Sequence, residues 1–388
     1  MNSLARPPVT RSRHRHLTRR GVLWLGLRCD VRCKFCYDEH IPTAEKGWLG
    51  LGDAIQALEK FRFHYGNEFV DFMGGEPTLH PAILEIVAHA AGIGLRPTVI
   101  THGMHLAKPE RAHAFAEAGI HDFLVSIHGI GDTVATIHGR GKNNAERQRR
   151  ALDNLRALSI PFRFNVTVIR DNLTQLEAIA ELAGETGARV VNFLTFNPYF
   201  EWARTPEIDF QPRHSEAAPY LARAISTCTR LGIEANVRYL PLCQLPGYEA
   251  HVYTGYQLPY DTHEWDYNSW YDTGYPGSPS AQWYYQASRR QQNRHDYVHV
   301  PACGRCAARE ICDGFHAQYV TRWGGEEASP YTGPPVTDPR HFINEQDKVE
   351  YDTPSASAGH DHVAPAPVPL HLDAGGGAKA RHEHSTRR

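Results

Sequence analysis

Long apolar runs are missing from this chain. Nothing in it approaches the roughly 20 consecutive residues a helix needs to cross a bilayer, so no membrane span is expected. An excess of charge is missing too. The 41 basic residues stand against 43 acidic ones, which argues against nucleic acid as a partner of the whole molecule. No export signal is complete. Thr18-Arg19-Arg20-Gly21-Val22-Leu23 contains the paired arginines of one. The apolar run after them is only Val22 to Leu27, and it ends in Arg28 and Cys29 without a small-residue cleavage site. A first core strand accounts for it better, and the cytoplasm is the expected location. Apolar periodicity is absent from both ends. Residues 1–20 carry six arginines, two histidines and two adjacent prolines, and residues 351–388 are mostly Pro, Ala, Gly, Ser and His. Both read as disordered, solvated segments, the first a basic arm and the second a tail.

Between the ends, strand-like and helix-like segments alternate. Val22–Leu27, Phe69–Met73, Pro97–Thr101, Phe123–Ile127, Phe162–Ile169 and Val190–Thr195 are rich in β-branched and aromatic residues and bounded by Gly, Pro, Asn or Asp. Apolar stripes at helical spacing lie between them. Ala54, Ile55, Leu58 and Phe61 follow Asp53 as a cap, and Ile83, Leu84 and Val87 follow Pro81 at a first helical position. Leu173, Leu176, Ile179, Ala180 and Ala183 follow Asn172 as a cap. Alternation of this kind means a parallel sheet with helices outside it. Six units fit between Val22 and Thr195, about 29 residues each against roughly 31 in an eightfold barrel. The expected fold is α/β, a partial (β/α)6 TIM-type barrel, with an open doubly wound sheet as the rival. Either places its active site at the carboxyl ends of the strands.

After Thr195 the rhythm breaks at Asn197-Pro198-Tyr199-Phe200. A helix is expected from about Ser215 to Arg230 and a strand over Glu234–Leu240, followed by an aromatic stretch over 248–300 that includes Trp265, Trp270, Trp283, Tyr284 and Tyr285. The organisation expected is a basic arm (1–20), a barrel (21–199), a smaller cluster-binding extension (200–350) and a tail (351–388).

The eight cysteines are grouped, which favours metal over disulfides. Cys29, Cys33 and Cys36 follow the first strand as C-x3-C-x2-C. Three thiolates can hold three irons of a four-iron, four-sulfur cluster and leave the fourth open. Zinc with a histidine such as His40 as fourth ligand is the alternative. Cys243 with Cys303, Cys306 and Cys312 supplies four more soft ligands, enough to close a second site holding iron–sulfur or zinc. Cys228 reads as a buried helix cysteine.

C-x3-C-x2-C after a first strand, with aromatic Phe35 before the last cysteine, resembles the signature of the radical S-adenosylmethionine (radical SAM) enzymes. Gly74-Gly75-Glu76-Pro77 after the second strand is similar to that superfamily's glycine-rich motif. The resemblance covers roughly Val22 to Thr195. It implies that Cys29, Cys33 and Cys36 hold a [4Fe-4S] cluster whose open iron is chelated by S-adenosylmethionine. It further implies that Phe35 lies against the adenine and that Gly74, Gly75 and Glu76 hold the amino end of the cofactor. Ser126, Asn165 and Arg170 are implied for its ribose and carboxylate. One electron, from a flavodoxin- or ferredoxin-type donor, then gives a 5′-deoxyadenosyl radical that takes a hydrogen from substrate. One departure is Thr101-His102-Gly103, where members often have Thr-Asn-Gly. The second cysteine set resembles the SPASM or twitch extensions that carry an auxiliary [4Fe-4S] cluster. His316 stands where the longer pattern has a further cysteine, which implies one auxiliary cluster. The substrate expected is a small polar metabolite such as a sugar, nucleoside or antibiotic precursor. A ribosomally made peptide is the alternative, set second because residues 1–20 read as no folded leader-binding domain. A non-catalytic zinc protein is the distant third.

Overall fold

The computed structural model describes residues 10–12, 18–36, 38, 41, 46–198, 209–261, 267–268 and 297–350. Strands β1 (Thr10–Ser12), β2 (Arg20–Trp24), β3 (Phe69–Met73), β4 (Arg96–Thr101), β5 (Asp122–Ser126), β6 (Phe162–Val168) and β7 (Val190–Thr195) come first. They are followed by β8 (Glu234–Arg238), β9 (Val252–Tyr253), β10 (Tyr267–Asn268), β11 (Tyr297–Val298), β12 (Phe315–His316) and β13 (Lys348–Glu350). Among the described residues, nine strands form one sheet in the order β10-β2-β3-β4-β5-β6-β7-β8-β9. Every pairing within it is parallel. Strands β2 to β7 are the six expected units, and the partial barrel is the architecture observed.

Helices α1 (Leu51–Glu59), α2 (Ile83–Gly92), α3 (Pro109–Glu117), α4 (Asp132–His138), α5 (Asn144–Ala157), α6 (Leu176–Thr186) and α7 (His214–Arg230) connect the strands. The two faces of the sheet differ in chemistry because side chains alternate along a strand. One face sends Leu23, Val70, Phe72, Val99, Phe123, Val125, Phe164, Val166, Val191 and Phe193 into the core under the helices. The other carries a belt of paired polar groups near the amino ends of the strands. Arg20 donates to Asp71 at 2.6 Å and to Thr98 at 3.0 Å, Thr98 donates to Asp122, and Arg163 donates to Asp122 at 2.7 Å. These residues are almost wholly buried, and charges so far from water need partners of this quality. The belt continues through Asn192 and Asn236 to Glu234, which Lys348 of β13 meets from below.

Three helices start elsewhere than their local signals predict. Helix α1 begins at Leu51 after Gly50, so Asp53 sits in its first turn and is not the cap. Helix α2 begins at Ile83, two residues past Pro81. Asn172 does not cap α6. It lies in a tight 3-10 turn, where its Oδ1 accepts from Ile169 N at 2.9 Å and its Nδ2 donates to His128 O and Thr167 O at 2.8 Å each. The first strand is also displaced, because Gly26 turns the chain at a positive φ of 144°. The strand expected at Glu234–Leu240 runs Glu234–Arg238 and joins the barrel sheet beside β7. The expected helix near Ser215 is α7, with Cys228 wholly buried in it. Trp265, Trp270, Trp283, Tyr284 and Tyr285 lie outside the described residues, as does His40.

Candidate active site

The first cysteine loop leaves β2 at Gly26 and is held by main-chain bonds. Arg32 N donates to His138 O at 2.9 Å, Lys34 N to Ile137 O at 3.0 Å, and Cys36 N to Cys33 O at 2.9 Å. Cys29, Cys33 and Cys36 are partly buried thiols that form no disulfide. The glycine pair after β3 explains the position of this loop. A Cβ on Gly74 would stand 2.0 Å from Gly26 O, and one on Gly75 would stand 2.3 Å from Arg28 O. Gly75 N donates to Gly26 O and Glu76 N to Arg28 O. Close backbone approach is the reason for these glycines, as the sequence suggests. The backbone they admit is the protein's own first loop, so the glycine motif sets the base on which the cysteines stand.

Glu76 is wholly buried, and protein donors occupy its carboxylate. Oε1 accepts from Thr78 N at 3.0 Å, Thr78 Oγ1 at 2.5 Å and Thr101 Oγ1 at 2.7 Å, and Oε2 accepts from His102 N at 2.9 Å. Its side chain therefore braces the ends of β3 and β4.

His102 joins this brace to the cysteine loop. Met104 N donates to its Nδ1 at 3.2 Å, which leaves the proton on Nε2, 2.8 Å from Asp30 Oδ1. His105 Nε2 lies 3.1 Å from the other Asp30 oxygen. Burial works to raise the Asp30 pKa, but these two histidines outweigh it and hold the carboxyl well below the usual range. Ligand atoms of Cys29, Asp30 and His102 lie within 4.8 Å of one another. The Nε2 proton nevertheless makes His102 a donor to Asp30 and not a metal ligand. Burial, with the charges of Glu76 and Asp30 beside it, pushes the Cys29 thiol up to about 12. A thiolate there needs a bound cation to offset its charge.

Ser126 and Asn165 are register partners on β5 and β6, both partly exposed at the carboxyl end of the sheet. Arg170 lies apart from them in its bonding, with its guanidinium 2.9 Å from Glu216 of α7. Phe35 packs against Ile137, Ile169, Phe196 and Phe210, and its ring meets that of His128 edge-on at 4.8 Å. Sequence reasoning assigned no role to His128, His138 or Asp30. Their only signals were a histidine at a strand end, one at a helix end, and an acid directly after Cys29.

Burial pushes the imidazole of His128 down to about 3, that of His138 to about 4 and that of His214 to about 3. All three fold as neutral rings, whereas the unfolded chain takes up protons near pH 6.5. A depressed pKa contributes stability that is present above the unfolded value and lost as pH falls toward the folded one. Unfolding free energy should therefore drop between about pH 6.5 and 4, by up to about 1.4 kcal/mol per pH unit for each histidine. Urea midpoints measured across that window should fall with acid and flatten above pH 7.

The second cysteine set comes together as well. Cys243, Cys303, Cys306 and Cys312 line one small cavity with Leu242, His299, Phe315 and Tyr331. Three of the sulfurs receive donors at 3.4 Å: Gln244 Nε2 to Cys243, Tyr331 N to Cys306 and Gly314 N to Cys312. Burial pushes the Cys312 thiol up to about 12. Four sulfurs on one cavity, with N–H groups aimed at them, fit a thiolate-ligated cluster or metal.

With this geometry in hand, the relationships to known proteins are informative. Residues 25–183 match the family model described as the radical SAM superfamily. The AdoMet-dependent heme synthase of Oleidesulfovibrio alaskensis is 24% identical over 343 residues, covering 80% of this chain and 85% of the relative. The PqqA peptide cyclase of Xanthomonas campestris is 27% identical over 217 residues, 54% of each chain. This chain thus spans most of the first relative and about half of the second. Streptococcus suis SuiB bound to S-adenosylmethionine shares the fold at a TM-score of 0.56 and 13% identity, across 80% of this chain and 76% of that one. No helix among the described residues is long and apolar enough to cross a membrane. Three cysteines on a loop braced by the glycine motif, at the carboxyl end of a parallel half-barrel, agree with the match of residues 25–183 to the radical SAM superfamily.

Proposed function

We propose that this chain is a two-cluster radical SAM enzyme acting on a small polar metabolite. The observation that carries the reading is the first cysteine loop, whose backbone is fixed by Gly74, Gly75 and α4 and whose three thiols form no disulfide. Cys29, Cys33 and Cys36 hold the [4Fe-4S] cluster. When bound, the cluster and S-adenosylmethionine supply reductive cleavage of the sulfonium and hydrogen abstraction from substrate. Ser126 and Asn165 offer paired polar side chains to the ribose or carboxylate of the cofactor, and Phe35 with its apolar neighbours excludes water. Arg170, held by Glu216 through one nitrogen, has further N–H donors for the carboxylate. Glu76 acts through the loop it braces, so it is a positioning residue. A flavodoxin- or ferredoxin-type protein delivers the electron, in the cytoplasm. The four-cysteine cavity of a SPASM- or twitch-like extension, within residues 200–350, holds an auxiliary [4Fe-4S] cluster.

The metabolite reading is supported by the heme-synthase match, which covers 80% of this chain, while the peptide-cyclase matches cover 54% to 66%. A ribosomal peptide is the second reading, and the peptide-cyclase matches support it. Anaerobically reconstituted protein should hold about eight irons, four per cluster, and should release 5′-deoxyadenosine with dithionite and S-adenosylmethionine. Colourless protein holding zinc and releasing none would sink the proposal. Cys303→Ala with Cys306→Ala should lower iron from about eight to about four per chain. Substrate-independent 5′-deoxyadenosine release should stay within a few-fold of the parent. Unchanged iron would remove the auxiliary cluster from the reading. Perdeuterated candidate metabolites and peptides, scored by deuterium in the 5′-deoxyadenosine, separate the two substrate classes.

A further inference from the structure

The N–H groups that meet the second cysteine set are of two kinds. Tyr331 N and Gly314 N, each 3.4 Å from its sulfur, belong to the main chain and come with the fold. The donor to Cys243 is a side chain. Gln244 follows Cys243 in the tight 3-10 turn Leu242–Gln244, and its Nε2 lies 3.4 Å from the Cys243 sulfur. The same nitrogen donates to Glu327 O at 2.8 Å. A carbonyl oxygen only accepts, so this bond fixes which end of the amide faces it. The second N–H of that nitrogen is the one given to sulfur. Gln244 is buried. Glu327 is held in turn, its carboxylate accepting from Tyr319 Oη and Ser215 Oγ. The amide is therefore preorganised toward Cys243.

A donor so placed has one electronic consequence for a bound cluster. Reduction adds a negative charge that is shared between the irons and their thiolates. An N–H dipole at a sulfur favours the more negative state, and so favours taking up the electron. The main-chain donors do the same, but no substitution of a side chain removes them. Arg309 also lines the cavity. It is exposed, where water and salt screen its charge. The buried amide is the side chain whose contribution is least screened.

We infer that Gln244 tunes the reduction potential of the auxiliary cluster through the N–H it gives to Cys243. This rests on the reading of the second cysteine set as an iron–sulfur site. Gln244 makes that site a readier electron acceptor than its four thiolates and main-chain donors would be alone.

The test uses the full reconstituted chain carrying Cys33→Ala, so that only the auxiliary cluster gives a signal. Its reduction is followed by electron paramagnetic resonance in a potentiometric titration at fixed pH. Gln244→Met keeps the length of the side chain and removes both donors. It should lower the one-electron reduction constant about tenfold, a shift of about 59 mV toward negative potential. Gln244→Glu should lower it further, because a carboxylate beside Cys243 opposes the added charge. The sign separates tuning from a loosened site. Water admitted to the cavity would favour the more highly charged reduced state and move the potential up. A reduction constant within about twofold of the parent's in the Gln244→Met protein overturns the inference, and so does an upward shift. Where Gln244→Met alone loses its iron, Gln244→Glu decides by the same criteria. Loss of iron from both variants overturns the inference as well, since Gln244 would then hold the site together without tuning it. A Cys33→Ala protein with zinc or no iron in the second set overturns the auxiliary-cluster reading itself. That outcome is told apart because it is seen before Gln244 is changed.

Discussion

Cys33→Ala should abolish S-adenosylmethionine cleavage, with 5′-deoxyadenosine release falling by about three orders of magnitude or more, while the protein remains folded. Two thiolates cannot hold three irons, and a cluster that leaves with its ligand takes the chemistry with it. Iron should fall from about eight to about four per chain, because the second cysteine cavity is built from other residues. The fold should survive. The loop is anchored by main-chain groups on either side, Arg32 N and Lys34 N to the carbonyls of α4, and these do not depend on the thiol. Cys29→Ala and Cys36→Ala should behave alike. The measurements are anaerobic chromatography of the products and iron analysis on the same preparation. A Cys33→Ala protein that cleaves the cofactor as well as the parent would withdraw the first cysteine set from the site.

What was legible in the sequence depended on how far apart the partners lie along the chain. Cys29, Cys33 and Cys36 are close neighbours, so their spacing alone suggested one centre. The two glycines of the Gly74-Gly75-Glu76 motif were legible as a backbone approach, because only glycine permits one at these distances. The identity of the approaching backbone was not legible, since Gly26 and Arg28 belong to another strand's exit. Glu76 shows the same limit more sharply. Its partners Thr101 and His102 become neighbours only when β3 and β4 pair. The donor that Gln244 gives to Cys243 is oriented by Glu327, which no periodicity connects to it. Helix caps failed for a different reason. Asp53, Pro81 and Asn172 are residue types that favour helix starts, but burial of the stripes behind them set where the helices begin. Asn172 found better use for both ends of its amide in joining β6 to His128 O.

The polar belt was invisible to a reading that looked for apolar periodicity, yet it carries a feature with consequences for the whole barrel. Its inward residues alternate with apolar outward ones, so each strand reads as ordinary and the charges read as solvent-facing. They pair with one another across five strands. This arrangement leaves the carboxyl end of the same face for Ser126 and Asn165. One face of the sheet thus pairs charges at one end and presents Ser126 and Asn165 at the other.

At the pairing end, Lys348→Met should destabilise the protein by about 3–5 kcal/mol, the range for removing one partner of a buried ion pair. Lys348 is 2% exposed. Its Nζ donates to Glu234, lies 3.2 Å from Asp261 Oδ1, and sits 4.8 Å from the centre of the Tyr253 ring. Both carboxylates are buried. Arg238 lies 2.7 Å from Asp261, so Asp261 keeps a cation in the variant. Glu234 keeps hydrogen-bond donors in Asn236 and Val349 N, at 2.8 and 2.7 Å, but loses its charge partner. The urea midpoint should fall with little change in m, and the thermal midpoint should drop on the order of 10 °C. Burial works to lower the Lys348 pKa, but Asp261 and Glu234 outweigh it and raise it. A raised lysine contributes stability that is fully present below its unfolded pKa, near 10.4, and is lost only as pH rises beyond that. The destabilisation should therefore be the same at pH 6 and pH 9. Adding Glu234→Gln to Lys348→Met should recover part of the loss, because the charge left unpaired by the first change is removed by the second. A double variant less stable than Lys348→Met by the full cost of Glu234→Gln alone would mean that the two residues do not interact.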